Sequence, residues 1–501
     1  MLKGFYRLLG VNKRNVIPSY VHKTRIRSFD VAKFLRSAAG WITSSVHIDQ
    51  DLRSDLRTIR ARARDLCINN PYCQNYVRLM RRNVFGSTGF SLQVKARDTN
   101  GLLDKFANRQ IEDAFWYWGR KGNCTVDRKL SWKGAQDLCA SSIISDGEII
   151  IRKRYGFNNK SGFAIQFIDP EMLDVTFNQS RDDKNKEIRL GVELDADDAP
   201  VAYHFCEPKS FAYNGSYPQG GNHVVVPAKD IIHIFPKDRI GQTRGWPLIV
   251  PIMEALKNLN EYEKSEMTAA RIGSNQVGFL ETPTGAEYDG STNDDGTKSM
   301  DLEAGEIREL PAGQKFTSWD PKHPTDAFSE FVRSMKLSMA AGVSVSYPTF
   351  TGDLTGVNFS SIRAGLLEDR EEWKSWQTLF IEGFAEPVFA AWLEASLTNQ
   401  SITLPLSKFD KFNSPEFIGR RWAWVDPLKD ANANKILIEE RLTTRTRLAK
   451  ELGLDYEELL EEIKTEQETE KEIGISPTTS ENTNPTEYNP KDEEDDEEGK
   501  K

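Results

Sequence analysis

The side chains able to do acid, base or nucleophilic chemistry are scattered along this 501-residue chain, and their spacing matches no reaction. Asp146 stands two residues from Glu148, and Asp353 lies in a Gly/Ser/Thr-rich stretch. Neither has a spaced partner that would take the complementary acid or base role, and such carboxylates ordinarily cap helices or face solvent. His204 and His233 fall within β-branched runs, where a hydrogen-bonded structural imidazole is the ordinary outcome. The five cysteines (Cys67, Cys73, Cys124, Cys139, Cys206) contain no C-x-x-C pair, and the six histidines show no H-E-x-x-H spacing. No metal site and no disulfide framework is expected, and a reducing cytoplasm suits the thiols. Residues 296–299, GTKS, come nearest to a phosphate cradle but lack the glycine before the lysine, and no G-x-S-x-G is present. The chain reads as non-enzymatic and without a cofactor.

Binding chemistry is better represented. Arg53, Arg57, Arg60 and Arg64 recur at helical spacing, and Arg62, Arg78, Arg81 and Arg82 follow. One helix face would then present positive charge to phosphate or to acidic neighbouring subunits, although a solvated or salt-bridged helix gives the same pattern. The formal net charge of −9 is unevenly spread: residues 1–82 carry +12, residues 455–501 carry −13, and the middle carries −8. Such polarity suits assemblies or nucleic-acid traffic better than a compact metabolic enzyme.

The elements that position these groups follow from periodicity. Residues 51–85 read as two helices broken at Asn69, Asn70 and Pro71. FSLQV then reads as a strand, and helices follow over 103–118 and 132–144. From Glu148 the runs EIIIRKRY, GFAIQFID, EIRLGVEL, PVAYHF, HVVVP and DIIHIFP are short strands, so the domain is α+β. A helix over 246–272 carries Ile249, Ile252, Met253, Leu256 and Leu259 on one stripe, and another from Thr325 carries Phe328, Phe331, Val332, Met335 and Met339. Between them lies a small β module. Residues 342–361 lack helical periodicity and read as a long loop; a helix about 60 Å long follows over 360–398, kinked at Pro387. Three short helices occupy 427–472, opened by Asp426, by Thr443 or Thr444, and by Asp455. Residues 476–501 are too polar to fold. No run is long and apolar enough for a membrane span, and the basic N-terminus lacks a signal-peptide core.

The order RARARDLCINNPYCQNYVRLMRRNVFGSTGFSLQ, DGEIIIR, FIDPEML, GVELD, APVAYHF and VPAKDIIHIFPKDRIGQTRGWPLIVPIMEALKNLNEYEKSEMTAAR resembles the lambda-type family of tailed-phage portal proteins. TGDLTGVNFSSIRAGLLEDR, EPVFAAWLE, WAWVDPLKDANA and ERLTTRTRLAKELGLDYEELLEEI continue the likeness, which spans roughly 50–470. The resemblance implies a cyclic ring, usually dodecameric, at one vertex of the phage head, passing double-stranded DNA inward in packaging and outward in infection. It implies a basic arm over 1–49, a wing over 50–245 rejoined at 399–428, and stem helices over 246–272 and 325–341. A clip over 273–324, a tunnel loop over 342–358, the long helix over 359–398, a helical crown over 429–472 and an acidic tail over 473–501 complete the expectation.

What this implies for residues is specific. Ser344, Ser346, Thr349, Thr351, Asp353, Thr355 and Asn358 would meet DNA in the tunnel loop, where short polar groups bind sugar and phosphate weakly. Met253, Lys257, Lys264, Arg333 and Lys336 would lie on the stem; Lys315, Lys322 and His323 would meet the terminase large subunit at the clip. Arg53, Arg57, Arg60 and Arg64 would contact the neighbouring protomer. Capsid and scaffold proteins and head-tail adaptors are the other expected partners, in a virion assembled in the host cytoplasm. The competing reading is a basic-arm nucleic-acid-binding monomer or dimer.

Overall fold

The computed structural model describes residues 45–182, 186–207, 221–274, 278–281, 291–292, 298–299, 315–318, 328–422, 427–452, 454 and 456–473; residues 1–44 and 474–501, most of the basic arm and acidic tail, lie outside them. Helices α1 (Ile48–Asn69) and α2 (Pro71–Met80) meet at Asn70. The Asn70 carboxamide oxygen accepts from the amides of Tyr72 (3.0 Å) and Cys73 (3.2 Å), and Pro71 takes the first helical position, where no N–H is needed. A π-helical turn, Arg81–Phe85, leads to β1 (Ser91–Val94), then α3 (Lys105–Trp118) and α4 (Trp132–Ser145). The strand region follows as β2 (Ile149–Tyr155), β3 (Phe163–Ile168), β4 (Glu187–Arg189), β5 (Val192–Leu194), β6 (Pro200–Cys206), β7 (His223–Pro227) and β8 (Ile231–Ile234). Each expected run is extended, but EIRLGVEL folds as a hairpin, with β4 turning at Leu190 and Gly191 into β5.

Two antiparallel sheets result, ordered β3-β2-β8 and β4-β5-β6-β7. The unbroken isoleucine run of β2 is explained by burial on both faces. Ile149 and Ile151 join the main core, whereas Ile150 points into a second cluster with Leu173, Val192, Tyr203 and Phe205.

Beyond the sheets come α5 (Met253–Ser274), β9 (Gly278–Glu281), β10 (Ser291–Thr292), β11 (Lys298–Ser299), β12 (Lys315–Ser318) and α6 (Phe328–Gly342). Then follow α7 (Tyr347–Thr351), α8 (Phe359–Phe380), α9 (Glu386–Thr398), α10 (Phe409–Phe412), β13 (Pro415–Ile418), α11 (Pro427–Glu439), α12 (Arg445–Leu452) and α13 (Tyr456–Ile473). Strand β13 pairs antiparallel with β1, returning the chain to its start. The core between them is aromatic: Phe115 lies 5.0 Å from Trp392, 5.7 Å from Phe389 and 6.2 Å from Phe417. Among the described residues no helix is long and apolar enough to cross a membrane.

Two helix boundaries differ from expectation. The helix expected from Trp246 begins as a 3-10 turn at Val250–Ile252 and becomes α-helical at Met253, because Pro247 and Pro251 withhold amide donors and restrict the residues before them. The long helix over 360–398 is interrupted by a π-helical turn at Ile381–Ala385, with Pro387 in the first turn of α9. The extra residue of that turn absorbs the amide proline lacks.

The strand region is locked to α1 by a buried ionic cluster. Gly147 and Gly245 cross so closely that a Cβ on Gly147 would stand 2.0 Å from the Trp246 carbonyl carbon, and one on Gly245 would stand 2.1 Å from the Gly147 oxygen. The crossing sets Glu148 beside Arg244. Glu148 Oε1 accepts from Arg60 Nη2 (2.7 Å) and Arg244 Nε (2.8 Å); Oε2 accepts from the Gly245 amide (2.9 Å) and pairs with His233 Nε2 at 3.0 Å. Arg244 spends its remaining donors on the carbonyls of Leu190 (2.8 Å) and Pro170 (3.0 Å), and Arg60 Nε donates to the Asp146 carbonyl (2.9 Å). The Arg60, Arg244 and Glu148 side chains have no exposed surface.

Arg60 departs from the expected subunit-facing arginine row. Arg60 is sealed inside its own chain, because its helix face is the one that packs on the strand region. Arg57 pairs with Glu171 (3.1 Å), and Arg64 with Asp146 (2.6 Å) and Asp169 (2.7 Å). Arg53 and Arg62 are exposed.

Burial pushes the Glu148 carboxyl upward, but Arg244, Arg60 and His233 outweigh it and hold its pKa well below the ordinary 4.5. Replacing Glu148 by Gln leaves Arg244 buried without its counter-charge and Arg60 with Glu171 at 3.5 Å, so Glu148→Gln should cost about 3–5 kcal/mol, read from chemical denaturation. Burial also pulls His233 below its ordinary 6.5, helped by the two arginines and opposed by Glu148. The folded chain therefore takes up this proton later than the unfolded chain as pH falls, so stability declines below pH 6.5, with a further loss from Glu148 below 4.5. Thermal midpoints measured against pH should show this decline, and His233→Gln should flatten its upper part.

Candidate functional site: a helix pair and its connecting segment

Helices α5 and α6 pack along each other and run antiparallel. Tyr262 lies 5.5 Å from Phe328 and 5.4 Å from Phe331 by ring centroids, whereas at the other end Gly342 sits against Ile252, so close that an added Cβ would stand 2.5 Å from the Ile252 Cγ2. The glycine lets the two backbones converge. Leu256, Leu259, Val332 and Met339 are buried in the seam, as their spacing predicts, but Phe331 is half exposed. Between the helices, β9 pairs with β12 and β10 with β11, both antiparallel, so the expected small β module is present among the described residues.

The segment from α6 to α8 is more ordered than a long loop. Residues Tyr347–Thr351 form α7, closed by Gly352 in the left-handed region at φ +76°. Asp369 of α8 fastens it: Oδ1 accepts from the Ser346 amide (2.7 Å), and Oδ2 accepts from the hydroxyls of Ser346 (2.7 Å) and Thr349 (2.6 Å). On the other side Asn75 of α2 donates to the Phe350 carbonyl (2.9 Å), and the Phe350 ring is fully buried, 6.1 Å from Tyr72. Periodicity missed this because one turn of helix held by tertiary contacts has no repeat to display.

The polar residues expected to meet DNA divide accordingly. Ser346 and Thr349 spend their hydroxyls on Asp369, and Thr351 donates to the Tyr347 carbonyl (2.8 Å). Asp353 accepts from the hydroxyls of Tyr347 (3.1 Å) and Thr355 (2.6 Å), and the Thr355 contact leads in holding its pKa low. Asn358 caps α8 through the Ser361 amide (2.8 Å). Ser344, Thr355 and Asn358 are exposed.

On the helix pair, Lys257 and Lys264 are exposed, with Lys257 Nζ 3.7 Å from Glu261. Lys336 turns inward, 3.8 Å from Glu263 and 5.0 Å from the Tyr72 ring; Arg333 lies 5.6 Å from the Tyr347 ring; Met253 is half-buried in the core. Glu254, Glu261, Glu263 and Glu266 interleave with these cations, so the α5 surface is of mixed sign. Lys315 stands on β12 in register with Glu281, while Lys322 and His323 lie outside the described residues. At the C-terminal side Thr444 caps α12, and Lys105–Glu461, Lys450–Glu416 and Arg363–Asp430 pairs tie the last helices to α3, β13 and α8.

The sequence profile of the phage portal protein, lambda family, matches residues 34–377. The chain belongs to that family. It is 31% identical over 466 residues to a probable portal protein of Halomonas phage phiHAP-1, covering 91% of this chain and 89% of that one. It is 22% identical to portal protein B of Escherichia phage lambda, over 87% and 88% of the two chains. Among solved structures, a chain in the neck of an empty gene transfer agent particle shares 13% identity and a TM-score of 0.40, over 80% of this chain and 94% of its own.

In this portal protein Asp369 and Arg244 had no local signature: each is one charged residue in a polar stretch, and its importance comes from partners far along the chain. Asp369→Asn removes the charge that receives three donors. It should cost about 1.5–3 kcal/mol and speed amide exchange selectively over 344–352, measured by hydrogen–deuterium exchange.

Proposed function

We propose that this chain is the protomer of the ring at one vertex of a phage head, the head-tail connector through which double-stranded DNA is packaged and later ejected. Family membership supports the reading, and the observation that carries it is the antiparallel α5/α6 pair, with a β module at one end and an anchored segment at the other. On this reading the pair forms the stem, the β module over 273–324 the clip, the segment over 342–358 the tunnel constriction, and α11 to α13 the crown. Residues 50–245, rejoined by β13, form the wing.

DNA carries about one negative charge per 1.7 Å, so a strongly basic lining would hold it in place. A mixed-sign stem with hydroxyl and amide groups at Ser344, Thr355 and Asn358 lets the duplex slide. The portal protein is structural, and the work of translocation falls to a separate terminase ATPase docking on the clip near Lys315, Lys322 and His323. Head-tail adaptors take that position later, and capsid and scaffold proteins surround the wing. Ring closure needs complementary faces on one protomer, and Arg53 remains available for such a contact.

Size-exclusion chromatography with light scattering, followed by electron microscopy, tests the proposal. The expected particle holds about ten or more protomers around an open bore. A species that stays monomeric or dimeric would favour the basic-arm nucleic-acid-binding reading instead.

A further inference from the structure

We propose that Asp174, Cys206 and His223 form a site for a thiophilic divalent cation, zinc by its donor set. Cys206 ends β6, and its direct partner across the antiparallel ladder is His223, which opens β7. Paired residues project to the same side of a sheet, so thiol and imidazole are neighbours by register. A bridge between Leu173 and Phe205 brings the preceding loop alongside β6, and the Asp174 amide donates to the His204 carbonyl at 3.4 Å. One ligand atom from each of the three side chains lies within 4.8 Å of the other two, and Asp174 and Cys206 are 3% and 1% exposed.

The surroundings orient these donors. Asp174 Oδ1 accepts from the amide (2.9 Å) and hydroxyl (2.7 Å) of Thr176, which turns Oδ2 toward His223 Nε2 at 2.9 Å. The Phe177 ring stacks on the His223 imidazole at 4.4 Å and fixes its plane. Ligands held from behind in this way are what metal sites need. Sulfur, nitrogen and oxygen donors together suit zinc; calcium and magnesium prefer all-oxygen sites. Zinc bond lengths place ligand atoms about 3.3–3.6 Å apart, a separation these side chains reach by small rotations. His204 Nε2 is taken by Glu193 at 3.1 Å, so among the described residues the set is three protein ligands. A bound ion would clamp the loop to β6 and β7. The sequence expectation of no metal site looked for local spacing, whereas these donors meet only through strand pairing.

The test uses the full-length protein. Inductively coupled plasma mass spectrometry should find about one zinc per protomer after dialysis against a weak chelator. Cobalt substitution should produce a sulfur-to-metal charge-transfer band. Cys206→Ser and His223→Gln should each weaken zinc binding about 100-fold or more against a chromophoric chelator and abolish the zinc-dependent rise in melting temperature. Cys67→Ser, which breaks the other close thiol contact at 3.2 Å, should leave binding unchanged. Should Cys206→Ser fail to fold, the cobalt spectrum of the unaltered chain decides. Absence of the charge-transfer band, zinc well below one per protomer, or binding that follows Cys67→Ser would each overturn the proposal. Ring formation is read separately by electron microscopy, so the metal site and the portal assignment can fail independently.

Discussion

A buried carboxylate with two guanidinium groups closing on it is the interaction from which the rest of the structure is hung. Glu148 has no exposed surface, and neither do Arg60 and Arg244. Desolvating three charges is expensive, and it is tolerated only where nearly every donor and acceptor finds a partner. Gly147 and Gly245 make that possible, because only two residues without Cβ atoms can cross at this distance and present Glu148 to Arg244 with the Gly245 amide as an extra donor. The cluster joins α1, the loop before β2, the β8 strand through His233, and the segment that leads into α5.

That last link connects the cluster to the helix pair. Arg244 and Gly245 stand immediately before the proline-rich turn from which α5 departs, so the cluster sets where the helix leaves the strand region. At the same end of the pair, Gly342 meets Ile252, and Asp369 and Asn75 hold the connecting segment against α8 and α2. The position of the helix pair is set by these contacts at one end. Its α5 surface is of mixed charge, and Lys336 turns inward toward Glu263.

Much of this portal protein was legible in its residues. The Asn70–Pro71 junction, the strands from Ile149 to Ile234, the apolar stripes of α5 and α6 and the small β module between them follow from local propensity and period, and together they carried the resemblance to lambda-type portals. Arg60 was misread for a physical reason. Helical spacing says that Arg57, Arg60 and Arg64 share a face, but whether that face meets water, a neighbour or the chain's own carboxylates depends on Glu148, Glu171, Asp146 and Asp169, all far away in sequence.

Residue order by itself therefore determined the elements, their order, the family and the absence of any local catalytic motif, because helices, turns and strands depend on neighbours within a few positions. Tertiary structure alone decided which charges are buried, that β13 returns to β1, that the segment after α6 is pinned rather than loose, and that a thiol, an imidazole and a carboxylate converge beside β6. These depend on strand register and on glycine crossings, where the free energy lies in contacts between residues that sequence keeps far apart.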